Sequence, residues 1–109
     1  MTTPLEQGSR SRRLAAVWFA DIVGFTRLAA ENEPLALRLV EVLQTAATAA
    51  VASHEGNVVK FTGDGVLAEF PSARDGALGA MQLLLRFGQL TEDWAQGPHQ
   101  IRLGMHLGD

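Results

Sequence analysis

Two hydrophobic periods alternate along this 109-residue chain, and the switches between them outline its elements. Leu14-Ala15-Ala16-Val17-Trp18-Phe19-Ala20 is an unbroken apolar run of strand length, the pattern of a strand covered on both faces, and Asp21 ends it. After Gly24, residues Phe25 to Ala30 predict a short helix. Glu33 and Pro34 open a longer one, with proline in the tolerated first turn. Its apolar face is Leu35, Leu39, Val42, Leu43, Ala46, Ala47 and Ala50, with Arg38, Glu41 and Gln44 off that face. Gly56 supplies the stop. Asn57 to Thr62 and Val66 to Phe70 read as strands joined at Gly63-Asp64-Gly65, a hairpin signal because glycine accepts positive φ. Ser72 and Asp75 have capping-box spacing for a helix from Ala73 to Phe87. Its apolar face is Ala77, Leu78, Met81, Leu84 and Leu85, with Met81 and Phe87 expected in the core. Gly76 and Gly79 each cost about 1 kcal/mol relative to alanine inside a helix, which predicts close packing of that helix on a sheet. Thr91 to Gln100 is a loop with Gly97-Pro98, and Ile101 to Leu107 is a final strand.

The order β, short α, α, β, β, α, β predicts an α+β, ferredoxin-like fold: a split βαβ with a mixed sheet and helices on one face. In that arrangement the first strand neighbours the hairpin, which brings Asp21 and Asp64 together although they lie 43 positions apart.

Composition adds limits. A hydrophobic content of 47% is enough for one packed domain, placed at residues 14–109. Residues 1–13 are polar and predict a flexible lead, and Arg10, Arg12 and Arg13 read as a solvated linker. A net charge of −3 gives no electrostatic case for nucleic acid or an anionic membrane as a partner. With no cysteine there is no disulfide framework and no thiolate metal site. No uninterrupted apolar stretch reaches the roughly 18 residues of a membrane span, so a cytoplasmic domain with no membrane segment is expected.

The candidate chemistry lies in the two aspartates, each placed where an apolar run breaks at glycine. Carboxylates paired at strand ends suit a hard cation such as Mg²⁺, which keeps positions open for water or phosphate. The competing reading is a pair of ordinary turn aspartates beside glycine. Backbone amides around Gly24 and Phe25 form a loop-to-helix junction suited to anions. His54, His99 and His106 lack ligand-like spacing.

Phe19-Ala20-Asp21-Ile22-Val23-Gly24-Phe25-Thr26 closely resembles the first metal motif of the class III nucleotidyl cyclases, the adenylate and guanylate cyclase catalytic domains. Val58-Val59-Lys60-Phe61-Thr62-Gly63-Asp64-Gly65 resembles the second motif, and Ile101 to Asp109 the following strand. The resemblance runs from about Leu14 to the last residue and implies a cyclase core incomplete at its C-terminus. It implies that Asp21, Asp64 and the Ile22 carbonyl hold two Mg²⁺ or Mn²⁺ ions, and that Gly24, Phe25 and Thr26 contact phosphates. Lys60 is implied as the base reader, favouring ATP over GTP because lysine offers donors and no acceptor. The ribose 3′-hydroxyl of ATP would then attack its own α-phosphate, giving 3′,5′-cyclic AMP and pyrophosphate for signal transduction. The resemblance also implies a homodimer with each site shared between protomers. A second base reader, an asparagine and an arginine of the family pattern have no counterpart here, so the 109 residues alone are expected to be nearly inactive. Two other classes stay open: a non-catalytic module that binds nucleotide or pairs with a partner cyclase, and a palm-like nucleotidyl transferase, which the lack of a basic groove disfavours.

Overall fold

The computed structural model describes residues 15–108. The expected lead at residues 1–13 and the start of the first strand at Leu14 lie outside the described residues. Seven elements follow in the expected order: β1 Ala16–Ile22, α1 Phe25–Glu31, α2 Glu33–Ser53, β2 Asn57–Thr62, β3 Gly65–Phe70, α3 Ala73–Leu90 and β4 Ile101–Leu107. The sheet order is β2-β3-β1-β4, and every hydrogen-bonded pair is antiparallel. The expected mixed sheet is therefore corrected to an antiparallel one. The split crossover leaves β3 between β1 and β2, so no strands that run in the same direction are neighbours.

Along β1 the helix-facing residues Ala16, Trp18, Ala20 and Ile22 are all buried, while Phe19 is exposed and Asp21 half-buried. The strand runs through Asp21 instead of ending at it, because Asp21 pairs with Gly65 on one side and Arg102 on the other. The helix α2 buries Leu35, Leu39, Leu43, Ala46, Ala47 and Ala50, as its spacing predicts, together with Ala36 and Val51. Its N-cap is Asn32, whose Oδ1 accepts from the Leu35 amide at 3.3 Å. By length and composition alone Glu33–Ser53 could cross a membrane, but in the fold it is the core helix, with its apolar face spent on the protein interior. The left-handed residue after α2 is Glu55 at φ 64°, not Gly56. Gly56 is needed for space: a Cβ there would collide with the Phe70 ring.

Ser72 caps α3 as expected, with the Asp75 amide donating to Ser72 Oγ at 3.0 Å, but the Asp75 carboxylate accepts from that hydroxyl, at 2.9 Å, in place of the Ser72 amide of a full capping box. Its buried face is not the expected one. Gly76, Gly79, Ala80, Leu83 and Phe87 are buried, while Met81 and Leu85 are each 65% exposed and Leu84 42%. Phe87 is core as expected; Met81 is not. The physical reason is the bulk beneath the helix. Trp18 and Phe70 pack with ring centroids 5.5 Å apart, and Trp18 Nε1 donates to the Gly76 carbonyl at 3.1 Å. Only small residues allow that approach, since a Cβ on Gly76 would lie 2.9 Å from Ala16 Cβ and one on Gly79 3.2 Å from the Phe70 ring. The predicted close packing of this helix is thus present, on the glycine stripe itself.

Beyond α3, buried Thr91 ties the loop back to the helix: its hydroxyl donates to the Phe87 carbonyl at 3.0 Å and accepts from the His99 amide at 2.9 Å. The Arg38 guanidinium lies 4.6 Å from the centroid of the Trp94 ring, which holds the same loop against α2.

We predict that Gly76→Leu costs about 1–3 kcal/mol through overpacking against β1, whereas Gly88→Ala, with open space around its Cβ, gains up to about 1 kcal/mol. Urea unfolding of both variants checks this; equal effects would mean that helix-to-sheet contact does not explain the glycines.

Candidate functional site

The backbone segments that carry the two aspartates are neighbours at one end of the sheet. Asp21 is paired with Gly65, the residue after Asp64, and the Ile22 amide donates to the Asp64 carbonyl at 3.3 Å. The hairpin turn that carries Asp64 is therefore bonded to the β1 residue that follows Asp21. Gly63 takes the left-handed conformation of the turn at φ 55°. Gly65 does not; it is required by crowding, since a Cβ would lie 2.8 Å from Thr62 Oγ1 and 3.0 Å from the Ala20 carbonyl.

Asp21 is on the sheet face away from the helices, in register with Arg102 of β4. Arg102 Nη2 lies 3.1 Å from Asp21 Oδ1, with the side chains 73% and 21% exposed respectively. The contact is an ion pair by distance but is not aligned as a hydrogen bond. Asp21 Oδ1 is cut off from solvent and has no hydrogen-bond partner. Leaving a buried carboxylate oxygen unsatisfied is costly, so the atom suits a cation brought from outside. The Asp21 carboxylate and the neighbouring Asp64 turn offer oxygen donors of the hard kind that Mg²⁺ and Mn²⁺ accept. Among the described residues no group of three or more such side chains gathers, so remaining ligand positions would fall to backbone, water or phosphate.

Gly24 precedes α1 in the left-handed region at φ 70°, and no side chain caps that helix. The first-turn amides of α1, beginning at Phe25 and Thr26, thus have no capping oxygen. The Val23 amide donates to the Gln100 carbonyl at 2.9 Å, which anchors the start of this loop to the segment before β4. Beside it an open cleft is lined by Val23, Gly24, Arg27, Leu28, Glu31, Gln96 and His99.

Lys60 is exposed on β2, paired with Leu67 after a break in register at Val59. It shares the open face with Asp21, but β3 lies between their strands, so the structure does not bring Lys60 against the two aspartates. Two of the three histidines have hydrogen-bond partners: His54 Nε2 is 2.9 Å from Gln82 Oε1, and His99 Nε2 is 2.9 Å from the Ala95 carbonyl. Sequence reasoning missed Arg102, whose only signal was a charge between Ile101 and Leu103 on an apolar strand.

Comparison with known proteins agrees with this arrangement. The chain is 38% identical over 104 residues to a Rhizobium meliloti protein provisionally named adenylate cyclase 3, a match covering 90% of this chain and 17% of the relative. It is 39% identical over 98 residues to an adenylate cyclase of Streptomyces coelicolor, covering 89% of this chain and 24% of the relative. Among solved structures, an adenylate/guanylate cyclase/hydrolase from Silicibacter pomeroyi superposes with a TM-score of 0.73 at 33% identity, over 88% of this chain and 57% of that one. Over about nine-tenths of its length the chain is similar to class III nucleotidyl cyclases. It spans less than a quarter of the length of those curated relatives and just over half of that solved cyclase chain. No family model matches the chain. The cyclase resemblance read from the two aspartate motifs is confirmed, as is the ferredoxin-like α+β core that carries them.

The left-handed backbone at Gly24 yields a test of the loop. Because nothing lies within 4 Å of its Cβ position, Gly24→Ala adds no clash and loses about 1–2 kcal/mol through backbone strain alone. Gly24→Asn should lose less, and chemical denaturation showing no difference from wild type for either variant would contradict the observed turn.

Proposed function

We propose that the protein is an adenylate cyclase that converts ATP to 3′,5′-cyclic AMP and pyrophosphate. It would work as a cytoplasmic homodimer with two Mg²⁺ or Mn²⁺ ions per site. The observation that carries this reading is the Asp21 carboxylate: held between two strands, bonded through its neighbour to the Asp64 turn, with one oxygen deprived of water and of any hydrogen bond. Asp21, Asp64 and the Ile22 carbonyl would hold the ions. When bound, such ions neutralise phosphate charge and make the attacking ribose 3′-hydroxyl more acidic.

The chain's own residues supply position. The amides of Gly24, Phe25 and Thr26 would meet the phosphates, and the left-handed turn at Gly24 would hold that loop in place. Fixing the triphosphate at one end and the base at the other brings the 3′-hydroxyl in line with the α-phosphate, and such positioning is a large part of the catalysis of phosphoryl chemistry. Lys60 would read the base. Its ammonium can donate to an adenine ring nitrogen and cannot accept from guanine, which favours ATP. Its place on the edge strand, with β3 between it and Asp21, supports its serving the site of a second copy.

A second reading is a cyclase-like module that binds nucleotide or pairs with a partner without turnover, in keeping with Lys60 lying a strand away from Asp21. Incubating the chain with ATP and Mn²⁺ separates the two: cyclic AMP supports the enzyme, and ATP binding without product supports the module.

In the intact protein, Asp21→Ala and Asp64→Ala should each lower cyclic AMP formation by at least about 100-fold, since loss of even a supporting residue at a metal site costs about 10–100-fold. Unchanged turnover in either variant refutes the metal assignment. Lys60→Glu should shift the kcat/KM ratio from ATP toward GTP by about tenfold or more, by exchanging a donor for an acceptor. An unaltered ratio removes Lys60 from the base site.

A further inference from the structure

Arg102 and Asp21 form an unequal pair. The guanidinium is 73% exposed and the carboxylate 21%, and the 3.1 Å between Nη2 and Oδ1 is short enough for a charge-assisted hydrogen bond. Yet Oδ1 accepts none. A structural arginine–carboxylate pair is normally aligned, often through two parallel bonds; this one is held by charge alone. The arginine can therefore leave for water at small cost, whereas the carboxylate, fixed in β1 between Gly65 and Arg102, cannot.

We infer that Arg102 is the resident counter-ion of Asp21, displaced when a divalent cation binds, and that it thereby sets the metal affinity of the site. This rests on Asp21 being a metal ligand, as proposed above. A cation seated on Oδ1 and a guanidinium about 3 Å from the same atom would repel each other strongly, so the two occupy the position in turn. Metal binding must first undo the Arg102 attraction, which weakens the affinity; in exchange, the carboxylate is not left uncompensated when metal is scarce. Arg102 is a positioning residue in this scheme, acting on the metal site through Asp21.

The test is direct binding of Mn²⁺ alone, without nucleotide, followed by the electron paramagnetic resonance signal of free Mn²⁺. Arg102→Gln, which keeps length and removes charge, should tighten the Mn²⁺ Kd about three- to fivefold, the range expected from losing a largely exposed ion pair. Arg102→Lys, which keeps the charge, should stay within about twofold of wild type by the same reasoning. Arg27→Ala serves as a control for general charge effects, because Arg27 is 83% exposed and lies 3.5 Å from Glu31; its Kd should not change. Asp21→Asn should weaken binding severely. An unchanged or weaker Kd in Arg102→Gln, an Arg102→Lys variant as tight as Arg102→Gln, or equal tightening in Arg27→Ala overturns the counter-ion role while leaving the metal site standing. Wild-type affinity in Asp21→Asn overturns the metal assignment itself, and the counter-ion role with it.

Discussion

The site depends on the register in which β1 is gripped between β3 and β4. Every residue from Ala16 to Asp21 has a partner on both sides, so the strand cannot shift toward either neighbour alone. Slipping by one residue would turn Trp18 to the open face and drive Asp21 into the core. Trp18 opposes that slip twice, through its ring against Phe70 and through its indole N–H on the Gly76 carbonyl. The position of a carboxylate on one face is thus enforced by an aromatic side chain on the other.

How far the sequence revealed this varies by element, and the reasons are physical. The β2–β3 hairpin and the α3 cap were legible because glycine and the Ser72/Asp75 pair act locally, within a few residues. The inner face of α3 was not. Ala77, Leu78, Met81, Leu84 and Leu85 keep helical spacing as well as Gly76, Gly79, Ala80, Leu83 and Phe87 do, and a hydrophobic reading favours the larger side chains. What decides between the stripes is the bulk of Trp18 and Phe70 on the sheet, which admits only small residues in the first turns of the helix. Gly56 misleads in the same manner: its sequence position suggests a helix stop, while its role is to make room for Phe70.

At the site, the aspartates stood out because each ends an apolar run at glycine, and that punctuation survives without knowledge of the fold. Bringing their backbone segments together needed the topology, which the order of elements supplied. Arg102 needed more. Its contact with Asp21 exists only because β4 pairs with β1 in one register, across 81 positions of sequence. No local signal encodes such a contact, and an arginine on an exposed strand face ordinarily reads as a solvated charge.

The same sheet therefore divides its labour by face. Large apolar groups lie toward α2 and α3, where burial supplies stability, and the ionic groups Asp21, Lys60 and Arg102 lie on the face those helices leave open. An unsatisfied carboxylate oxygen works against folding, and a protein selected for stability alone would place an aligned donor there or an apolar side chain. Arg102 comes close enough to offset the charge but does not close the bond. A partner that compensates without saturating is what a reversible cation site requires, since a fully bonded carboxylate would have nothing to offer a metal, and a wholly unpaired one would burden the fold whenever the metal was gone.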